Sequence, residues 1–388
     1  MKTLLTFHDP LPLSLYVHLP WCVRKCPYCD FNSHEIGQSQ VTEAEYIDAL
    51  IQDLEQSLPM IWGRKISSIF IGGGTPSLFS PAAIERLINQ LHARLNFYPD
   101  IEITLEANPG TVESGKFKGF KAAGVNRLSI GVQSFSGEKL KLLGRIHGSS
   151  EAHAAIEQAQ AAGFNSINID LMFGLPHQTI EDAMQDLETA MECKPQHISW
   201  YQLTIEPNTV FYSKPPQLPD DDKTWDMQQQ GQAILSERGY QQYEISAYAQ
   251  KSCQCIHNMN YWQFGDYLGI GAGAHSKITD VAGGTVTRLV KHRIPKRYME
   301  LSQSGNATSE TRLLGRDDIQ LEFMMNAMRL NNGVDPGLFL QRTGMPLSNI
   351  ETALNNAEQK GLLEWSIKTL KPTAGGSRYL NDLLQEFM

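Results

Sequence analysis

Short apolar segments alternate with segments of helical periodicity along the first 250 residues. The β-rich apolar runs predict strands at 13–19, 66–71, 101–106, 127–132, 166–173, 197–205 and 243–248. Apolar residues at helical spacing predict helices at 42–58, from Ser80-Pro81 onward, and at 113–123, 136–143, 150–162, 179–193 and 222–238. Strands separated by helices of this length form right-handed βαβ units with a parallel sheet. The pattern therefore predicts an α/β fold, either a partial (β/α)6 TIM-like barrel or a doubly wound open sheet.

The pattern changes after about residue 249. Residues 249–308 are predicted to be irregular, and helices follow at 316–329, 335–342 and 348–359. The segment "GLLEWSI" and a glycine turn at Gly375-Gly376 complete a small winged-helix-like α+β domain. The predicted division is therefore 1–308 for the barrel and 309–388 for an accessory domain.

Charge disfavours nucleic-acid binding by either part. The 388-residue chain has a formal net charge of -9, and residues 310–388 carry eight lysines and arginines against ten acids. Proteins that bind nucleic acids need a surplus of basic side chains to neutralise phosphates. We therefore expect a protein-contact or accessory role for the C-terminal domain.

Cysteine usage indicates a reducing compartment. The chain has six cysteines, too few for the disulfide framework of a secreted scaffold, which a chain of this length does not need. No stretch approaches the roughly 18 apolar residues that a membrane span requires. We expect a cytoplasmic protein, and peripheral membrane contact is left open.

The segment "VHLPWCVRKCPYCDFNSH" places Cys22, Cys26 and Cys29 within eight residues. Three cysteines in one loop can ligate three corners of a [4Fe–4S] cluster and leave the fourth iron open to an external ligand. Two other interpretations stand beside this one. Cys26 and Cys29 alone could form a thioredoxin-like pair, and a structural zinc site would need Asp30 or His34 as its fourth ligand.

Polar residues follow several predicted strands at the point where each strand ends. They are Gly72-Gly73-Gly74-Thr75, Glu106, Gln133 and Asp170. The C-terminal ends of barrel strands meet at one rim, where the active sites of such folds are assembled. This placement favours the barrel over the open sheet.

The motif C-x3-C-x2-C, with an aromatic residue before the last cysteine and a strand before the loop, resembles the radical S-adenosylmethionine superfamily. Seven segments in order narrow the resemblance to the haem chaperone family HemW: "YVHLPWCVRKCPYCDFNSH", "FIGGGTPS", "LEANPGT", "RLSIGVQSF", "LGRIHG", "DLMFGLP" and "HNMNYW". The resemblance runs from about Leu13 to the C-terminal domain. It implies a partial barrel of the radical S-adenosylmethionine type and a [4Fe–4S] cluster whose open iron is chelated by S-adenosyl-L-methionine.

The resemblance also implies roles for individual residues. Tyr16 would pack near the cluster-bound cofactor, Tyr28 would meet the adenine, and Gly73, Gly74 and Thr75 would approach the methionyl amino group. A bare glycine backbone permits that close approach. Glu106 and Arg145 would contact S-adenosylmethionine through their charged groups, and Gln133 and Asp170 would accept hydrogen bonds from the ribose.

The segment "HNMNYW" (257–262) resembles the haem-binding motif that the family is proposed to carry. His257 would ligate the iron of haem b, and Tyr261 and Trp262 would pack against the porphyrin. Cys253 and Cys255 lie just before the motif. Three roles are open for them: a thiolate ligand of the haem iron, covalent attachment of haem, or inert loop thiols. The basic run "RLVKHRIPKR" (288–297) could pair with haem propionates or with an anionic membrane surface, or it could form a solvated basic face.

The family resemblance leaves a choice between a chaperone and an enzyme. Related coproporphyrinogen III dehydrogenases carry an additional cysteine where this chain has Phe31, and a longer N-terminal arm. Both differences favour a haem chaperone that delivers haem to acceptor haemoproteins, including membrane-bound respiratory enzymes. The dehydrogenase, which would make the protein an enzyme, and a radical enzyme with an unrelated substrate remain alternatives. The sequence does not indicate the oligomeric state.

Overall fold

The computed structural model describes residues 5–38, 42–111 and 115–388. The strands are β1 Leu13–Leu19, β2 Trp21–Cys22, β3 His34–Glu35, β4 Lys65–Gly73, β5 Asn96–Ala107, β6 Arg127–Gln133, β7 Ile167–Phe173, β8 His197–Gln202, β9 Gln241–Glu244, β10 Ala247–Ala249, β11 Asp266–Ile270, β12 His275–Asp280, β13 Thr285–Lys291, β14 Thr308–Leu313, β15 Leu363–Trp365 and β16 Leu370–Pro372. The α-helices are α1 Glu43–Ile61, α2 Pro81–His92, α3 Lys116–Ala122, α4 Gly137–Leu142, α5 Ser149–Ala161, α6 Ile180–Glu192, α7 Val210–Ser213, α8 Asp221–Glu237, α9 Ile256–Trp262, α10 Pro295–Gln303, α11 Arg316–Ala327, α12 Gly337–Thr343, α13 Glu351–Gln359, α14 Ala374–Arg378 and α15 Leu380–Gln385.

Twelve strands form one sheet in the order β14-β13-β12-β11-β1-β4-β5-β6-β7-β8-β10-β9. The strands from β11 through β8 are parallel, and antiparallel strands extend both ends. Within the sheet, β1, β4, β5, β6, β7 and β8 are neighbours in the order in which they occur along the chain. Every crossover between them therefore advances in one direction, as in a barrel. A doubly wound sheet would reverse its strand order at a switch point. The predicted α/β fold and partial barrel are confirmed.

Apolar burial holds the sheet against its covering helices. In α1, capped by Thr42 and Glu45, the side chains of Tyr46, Leu50 and Leu54 are fully buried. The strands β1, β4 and β7 bury most of their positions, which explains why they read as largely apolar runs in the sequence. This packing forms a rigid scaffold beneath the loops at the C-terminal ends of the strands.

The predicted irregularity of residues 249–308 is wrong. This region holds α9, the strands β11 to β13 and α10, and β11 pairs in parallel with β1. The strands are short and carry glycines and charges, so their apolar periodicity is weak and their pairing partners are distant in sequence. The glycine turn predicted at Gly375-Gly376 is also wrong, because both residues lie in α14. The first residues of the helix predicted at 113–123 lie outside the described residues.

A second hydrophobic core lies in the C-terminal part of the chain. It is built around Phe323, Phe339 and Leu354, and residues from the N-terminal segment, including Phe7, join it. The helices α11 to α13 precede the hairpin β15–β16, in the predicted order of helices and then strands. The strand β14 still belongs to the large sheet, so the sheet extends to Leu313. The division between residues 308 and 309 stays a prediction.

Buried ion pairs attach the antiparallel extension to the barrel. The Lys291 ammonium on β13 lies 2.5 Å from the Asp53 carboxylate on α1, and the Tyr298 hydroxyl donates to the same carboxylate at 2.8 Å. A second pair joins Lys277 to Asp266 at 3.0 Å. Removing one partner of such a pair would leave an uncompensated buried charge, so these pairs fix the position of β12 and β13.

Candidate functional site

The three cysteines of the 17–34 segment lie in the loop after β1. Cys22 ends the short strand β2, and the backbone N–H of Cys29 donates to the Cys26 carbonyl at 3.1 Å, which closes a tight turn. All three thiols are half-buried, unbonded to other cysteines, and line one cavity of about 430 Å³. This cavity, called the first cavity below, opens at the C-terminal ends of the parallel strands.

The surroundings of the thiols suit thiolate ligands. Thr75 Oγ1 donates to Cys22 Sγ at 3.4 Å, and Arg145 Nη1 donates to Cys26 Sγ at 3.7 Å. Burial raises the pKa of the Cys22 and Cys29 thiols, so these groups need a metal or another cation to become thiolates. Among the described residues, no three His, Cys, Asp or Glu side chains are grouped closely enough to hold a single metal ion. Three thiols of one loop that line the same cavity fit three corners of an iron–sulfur cluster.

The glycine turn after β4 packs directly against the cysteine loop. The N–H of Gly74 donates to the Leu19 carbonyl at 2.8 Å, and the N–H of Thr75 donates to the Trp21 carbonyl at 2.7 Å. A Cβ on Gly74 would lie 2.6 Å from the Trp21 carbonyl oxygen. Gly73 has φ +116°, and a Cβ there would lie 2.6 Å from the His18 ring. Neither glycine tolerates a side chain, because backbone and ring atoms already occupy that space.

Glu106 lies at the end of β5 and faces the first cavity. Its Oε2 accepts a hydrogen bond from the Gly73 N–H at 3.0 Å. Burial, together with the nearby Asp170 carboxylate, raises the pKa of Glu106 to about 7. Glu106 forms no ion pair with a basic side chain in the part of the chain that the structure describes, so the geometry favours a bound cation beside it.

Three consecutive strands line the first cavity with polar side chains at every second position. They contribute Arg127, Ser129 and Gln133 from β6, Asn168 and Asp170 from β7, and Ser199 and Tyr201 from β8. Asp170 accepts hydrogen bonds at 2.8 Å from both Ser129 Oγ and Asn168 Nδ2. Gln133 has φ +70°, a strained backbone for glutamine that commonly marks functional positions.

Gln133 and Asp170 were predicted from the sequence as site residues, whereas the other five of these residues were not. The signal that could have found them is the two-residue alternation of polar residues within strands that are otherwise apolar. Side chains two positions apart in a strand point to the same face, here the interior of the barrel. Tyr28 and Arg145 also line the first cavity, and Arg145 Nη2 donates to the Gly131 carbonyl at 2.6 Å.

Comparisons with known proteins agree with this geometry. The Radical SAM superfamily model matches residues 16–190. "Heme chaperone HemW" of Haemophilus influenzae is 49% identical over 381 residues, covering 97% of this chain and 98% of that protein. The Escherichia coli protein of the same name is also 49% identical, over 377 residues, with the same two coverages. The chain belongs to the HemW family.

A solved structure extends the HemW comparison. The coproporphyrinogen III oxidase HemN from Escherichia coli, described as a radical SAM enzyme, superposes with a TM-score of 0.82 at 28% identity. The match covers 97% of this chain and 90% of that one. The partial barrel and the C-terminal part of this HemW-family chain therefore share their architecture with an enzyme of the same superfamily.

The predicted haem motif of this HemW-family chain forms α9. The His257 side chain is buried, its Nδ1 lies 3.0 Å from Ser68 Oγ, and its Nε2 has no hydrogen-bond partner among the described residues. Burial and the nearby Arg127 lower the pKa of His257 to about 3, so the ring is neutral. Trp262 packs against Arg329 and the C-terminal core. The assignment of His257 as an iron ligand stays a prediction, and it requires the ring to leave its buried position.

Tyr16 does not line the first cavity. Its hydroxyl lies 3.0 Å from His18 Nδ1, and its ring lines a neighbouring cavity of about 740 Å³, called the second cavity below. Tyr261 of α9 lines the same second cavity. Tyr16, predicted to contact the cofactor, and Tyr261, predicted to contact haem, thus share the second cavity, whereas His257 and Trp262 line neither cavity.

The two cysteines before α9 differ in environment. Cys253 is half-buried, whereas Cys255 is fully buried with its Sγ 3.5 Å from Glu102 Oε1. Burial raises the pKa of Cys255 to about 12, which keeps this thiol protonated and inert. An attachment role for Cys255 therefore has no support in its geometry.

The basic run 288–297 is not one uniform solvated face. Arg288 forms an ion pair with Glu322 at 2.5 Å, and Lys291 is buried against Asp53. Arg293 is exposed and makes no ion pair within the described residues. The run therefore divides into structural pairs and exposed cations.

Among the described residues, no helix is both long enough and apolar enough to span a bilayer.

Proposed function

We propose that this protein is a cytoplasmic haem chaperone that binds haem b and transfers it to acceptor haemoproteins, including membrane-bound respiratory enzymes. The observation that carries the proposal is 49% identity, over 97% of the chain, to two proteins named as haem chaperones. Half-buried cysteine thiols without disulfide bonds support a reducing compartment.

We propose that the first cavity holds a [4Fe–4S] cluster on Cys22, Cys26 and Cys29, with S-adenosylmethionine at the open iron. The donor set of three thiols in one loop, the bare backbone of the glycine turn and the superfamily match support this. Together, the bound cluster and S-adenosylmethionine would supply the one-electron radical chemistry. The protein itself binds and orients these groups and limits access of water.

The polar wall of the first cavity suits the two ends of S-adenosylmethionine. The Glu106 carboxylate, fixed by the Gly73 N–H, can accept a hydrogen bond from the methionyl amino group and attracts the positive charge of the cofactor. Asp170 is positioned by Ser129 and Asn168 and keeps acceptor capacity for ribose hydroxyls. Tyr28 contributes an aromatic face for the adenine.

Binding of S-adenosylmethionine is expected to strengthen as pH rises through about 7, the pKa to which burial and Asp170 raise Glu106. Below that pH the carboxyl group is protonated and attracts a cation weakly, whereas above it the carboxylate attracts the cation fully. We expect roughly a tenfold change in Kd between pH 6 and pH 8, measured by calorimetry with anaerobic protein.

The Glu106→Gln variant is the control for this titration. It keeps the shape of the side chain and removes its charge, so its Kd should be weak and nearly constant over the same pH range. An unchanged pH slope in Glu106→Gln would show that another group controls binding.

A second candidate function is oxidation of coproporphyrinogen III. The structural similarity to the HemN enzyme over 97% of this chain favours it. Against it stands Phe31, where the resemblance places an additional cysteine in the enzymes. Its side chain is 60% exposed and faces both cavities.

Two measurements on anaerobically reconstituted full-length protein separate the functions. We expect one haem bound per chain in a spectroscopic titration, and haem transfer to an apo-haemoprotein faster than passive release. We also expect no conversion of coproporphyrinogen III above the background of protein lacking S-adenosylmethionine. Product formation would establish the enzyme instead, and an absence of haem binding would refute the chaperone.

A further inference from the structure

The second cavity, of about 740 Å³, adjoins the first cavity and shares part of its wall. The shared residues are Asp30, Phe31, Gly73 and Glu106. The volume lies in the range of small-molecule and cofactor sites. A ligand in the second cavity would therefore lie directly beside the predicted S-adenosylmethionine site.

A stripe of three side chains from the antiparallel extension lines the second cavity. His275 on β12 pairs in register with Val290 on β13, which pairs with Glu310 on β14. Directly opposed residues of a sheet project from the same face, so the three side chains stand side by side. The His275 side chain is exposed, and neither of its ring nitrogens forms a hydrogen bond within the described ranges.

Aromatic rings form another part of the wall. Tyr16, Tyr261 and Tyr267 line the second cavity, and the rings of Tyr261 and Tyr267 pack edge to face at 4.4 Å between centroids. The exposed ring of Phe31 adds an apolar surface from the cysteine loop. The haem motif thus reaches the second cavity through Tyr261, whereas the His257 ring is buried behind, 4.9 Å from Tyr261 by ring centroids.

One exposed cation lies at the second cavity. Arg293 lines it and makes no ion pair among the described residues, unlike Arg288 of the same basic run. Asp30, Glu106 and Glu310 also line the cavity and disfavour an anionic group on their own sides. A ligand with carboxylates is therefore directed by charge toward Arg293.

We propose that the second cavity binds haem and that His275 ligates the iron. Phe31 and Tyr261 pack against the porphyrin, and Arg293 pairs with a propionate. This assignment rests on the proposed haem-chaperone function and gives that function a site. His257 then acts as a packing residue that supports Tyr16 and Tyr261, with which its ring is in contact.

The second cavity is connected to the cysteine loop by Asn32. Its Nδ2 donates to the Ala272 carbonyl at 2.9 Å and to the Arg293 carbonyl at 2.8 Å. The Asn32 carbonyl lies 2.9 Å from His18 Nε2. A haem seated here would therefore contact a wall that is bonded to the segment following Cys29.

The test is a titration of full-length, anaerobically reconstituted protein with ferric haem, followed by the Soret band. We expect His275→Ala to weaken binding about tenfold or more and to lose the spectrum of a histidine-ligated iron. His275→Met should retain binding with a shifted spectrum, because a thioether replaces the imidazole. His92→Ala, an exposed histidine on α2 outside both cavities, should match the wild type.

Two variants that each remove one positive charge test the propionate contact. Arg293→Ala is expected to weaken haem binding several-fold and to reduce its salt dependence. The control is Lys296→Ala, which also removes one positive charge. Lys296 is exposed and lines neither cavity, so this variant should bind haem as the wild type does. Iron content near four per chain and an unchanged unfolding midpoint show that each variant is folded.

The outcomes separate the assignment from the function. If both His275 variants titrate like the wild type, or if His257→Ala alone abolishes the ligated spectrum, the second-cavity assignment is wrong and the haem-chaperone function stands. If the wild-type protein with its cluster binds no haem, the function itself is refuted.

Discussion

A Cys26→Ala variant is expected to lose its iron–sulfur cluster almost completely. Cys26 is the middle member of the cysteine trio, and its Sγ is the atom that Arg145 contacts. With two thiolates left, a cubane would have two open irons exposed to solvent and oxygen. Iron and sulfide should fall from about four per chain to below about one, and S-adenosylmethionine binding should weaken at least tenfold because its metal anchor is gone.

Cys193→Ala is the matched control for that measurement. Cys193 follows α6, is half-buried and lines neither cavity, so this variant should keep its full iron content. Full iron content in Cys26→Ala, or zinc in anaerobically prepared wild-type protein, would refute the proposed cluster. The thioredoxin-like interpretation predicts instead that Cys22→Ala leaves the chemistry of the other two thiols intact.

A Gly74→Ala variant is expected to be both less stable and unable to bind S-adenosylmethionine tightly. The added Cβ would lie 2.6 Å from the Trp21 carbonyl oxygen and 2.8 Å from the Pro20 carbonyl carbon. These are backbone atoms of the chain that leads to Cys22, so relief of the clash displaces the cysteine loop. We expect a loss of about 1–3 kcal/mol in the free energy of unfolding and at least a tenfold loss of affinity.

Gly137→Ala provides the comparison at a glycine without constraints. A Cβ there meets no atom within 4 Å, and the residue begins α4, so the free energy of unfolding should change by less than about 0.5 kcal/mol. Denaturant unfolding and calorimetry on the two variants measure both effects. Wild-type affinity in Gly74→Ala would show that the glycine turn does not control the position of the cysteine loop.

The interior of the barrel explains why a cofactor site can be inferred from the side chains alone. Arg127 is buried, Glu106 and Asp170 are half-buried at the wall of the first cavity, and burial raises the pKa of both carboxyl groups. An uncompensated carboxylate in such a place destabilises the empty protein. A ligand with a cationic group and several hydroxyls would satisfy these side chains and recover that free energy, which is the behaviour expected of a binding site.

The sequence by itself determined the parallel strands, most of their helices and the cysteine trio. Buried parallel strands need continuous apolar runs, and helices need apolar residues at a period of 3.6, so both are visible locally. The strand-end positions of Glu106 and Gln133 could likewise be predicted, because parallel strands place their C-terminal ends at one rim. Asp170 instead lies in the middle of β7, so its predicted strand-end position is wrong. The family could be recognised for the same reason, since its motifs are short and contiguous.

The tertiary structure alone decided which residues share a space. It put His257 in the core behind Tyr261, assigned Tyr16 to a second cavity, and brought His275 beside Phe31 and Arg293. These contacts join segments more than 200 residues apart through the pairing of β11 with β1, which depends on strand register rather than on local pattern. Burial and proximity are properties of the packed chain, and no periodicity in the sequence encodes them.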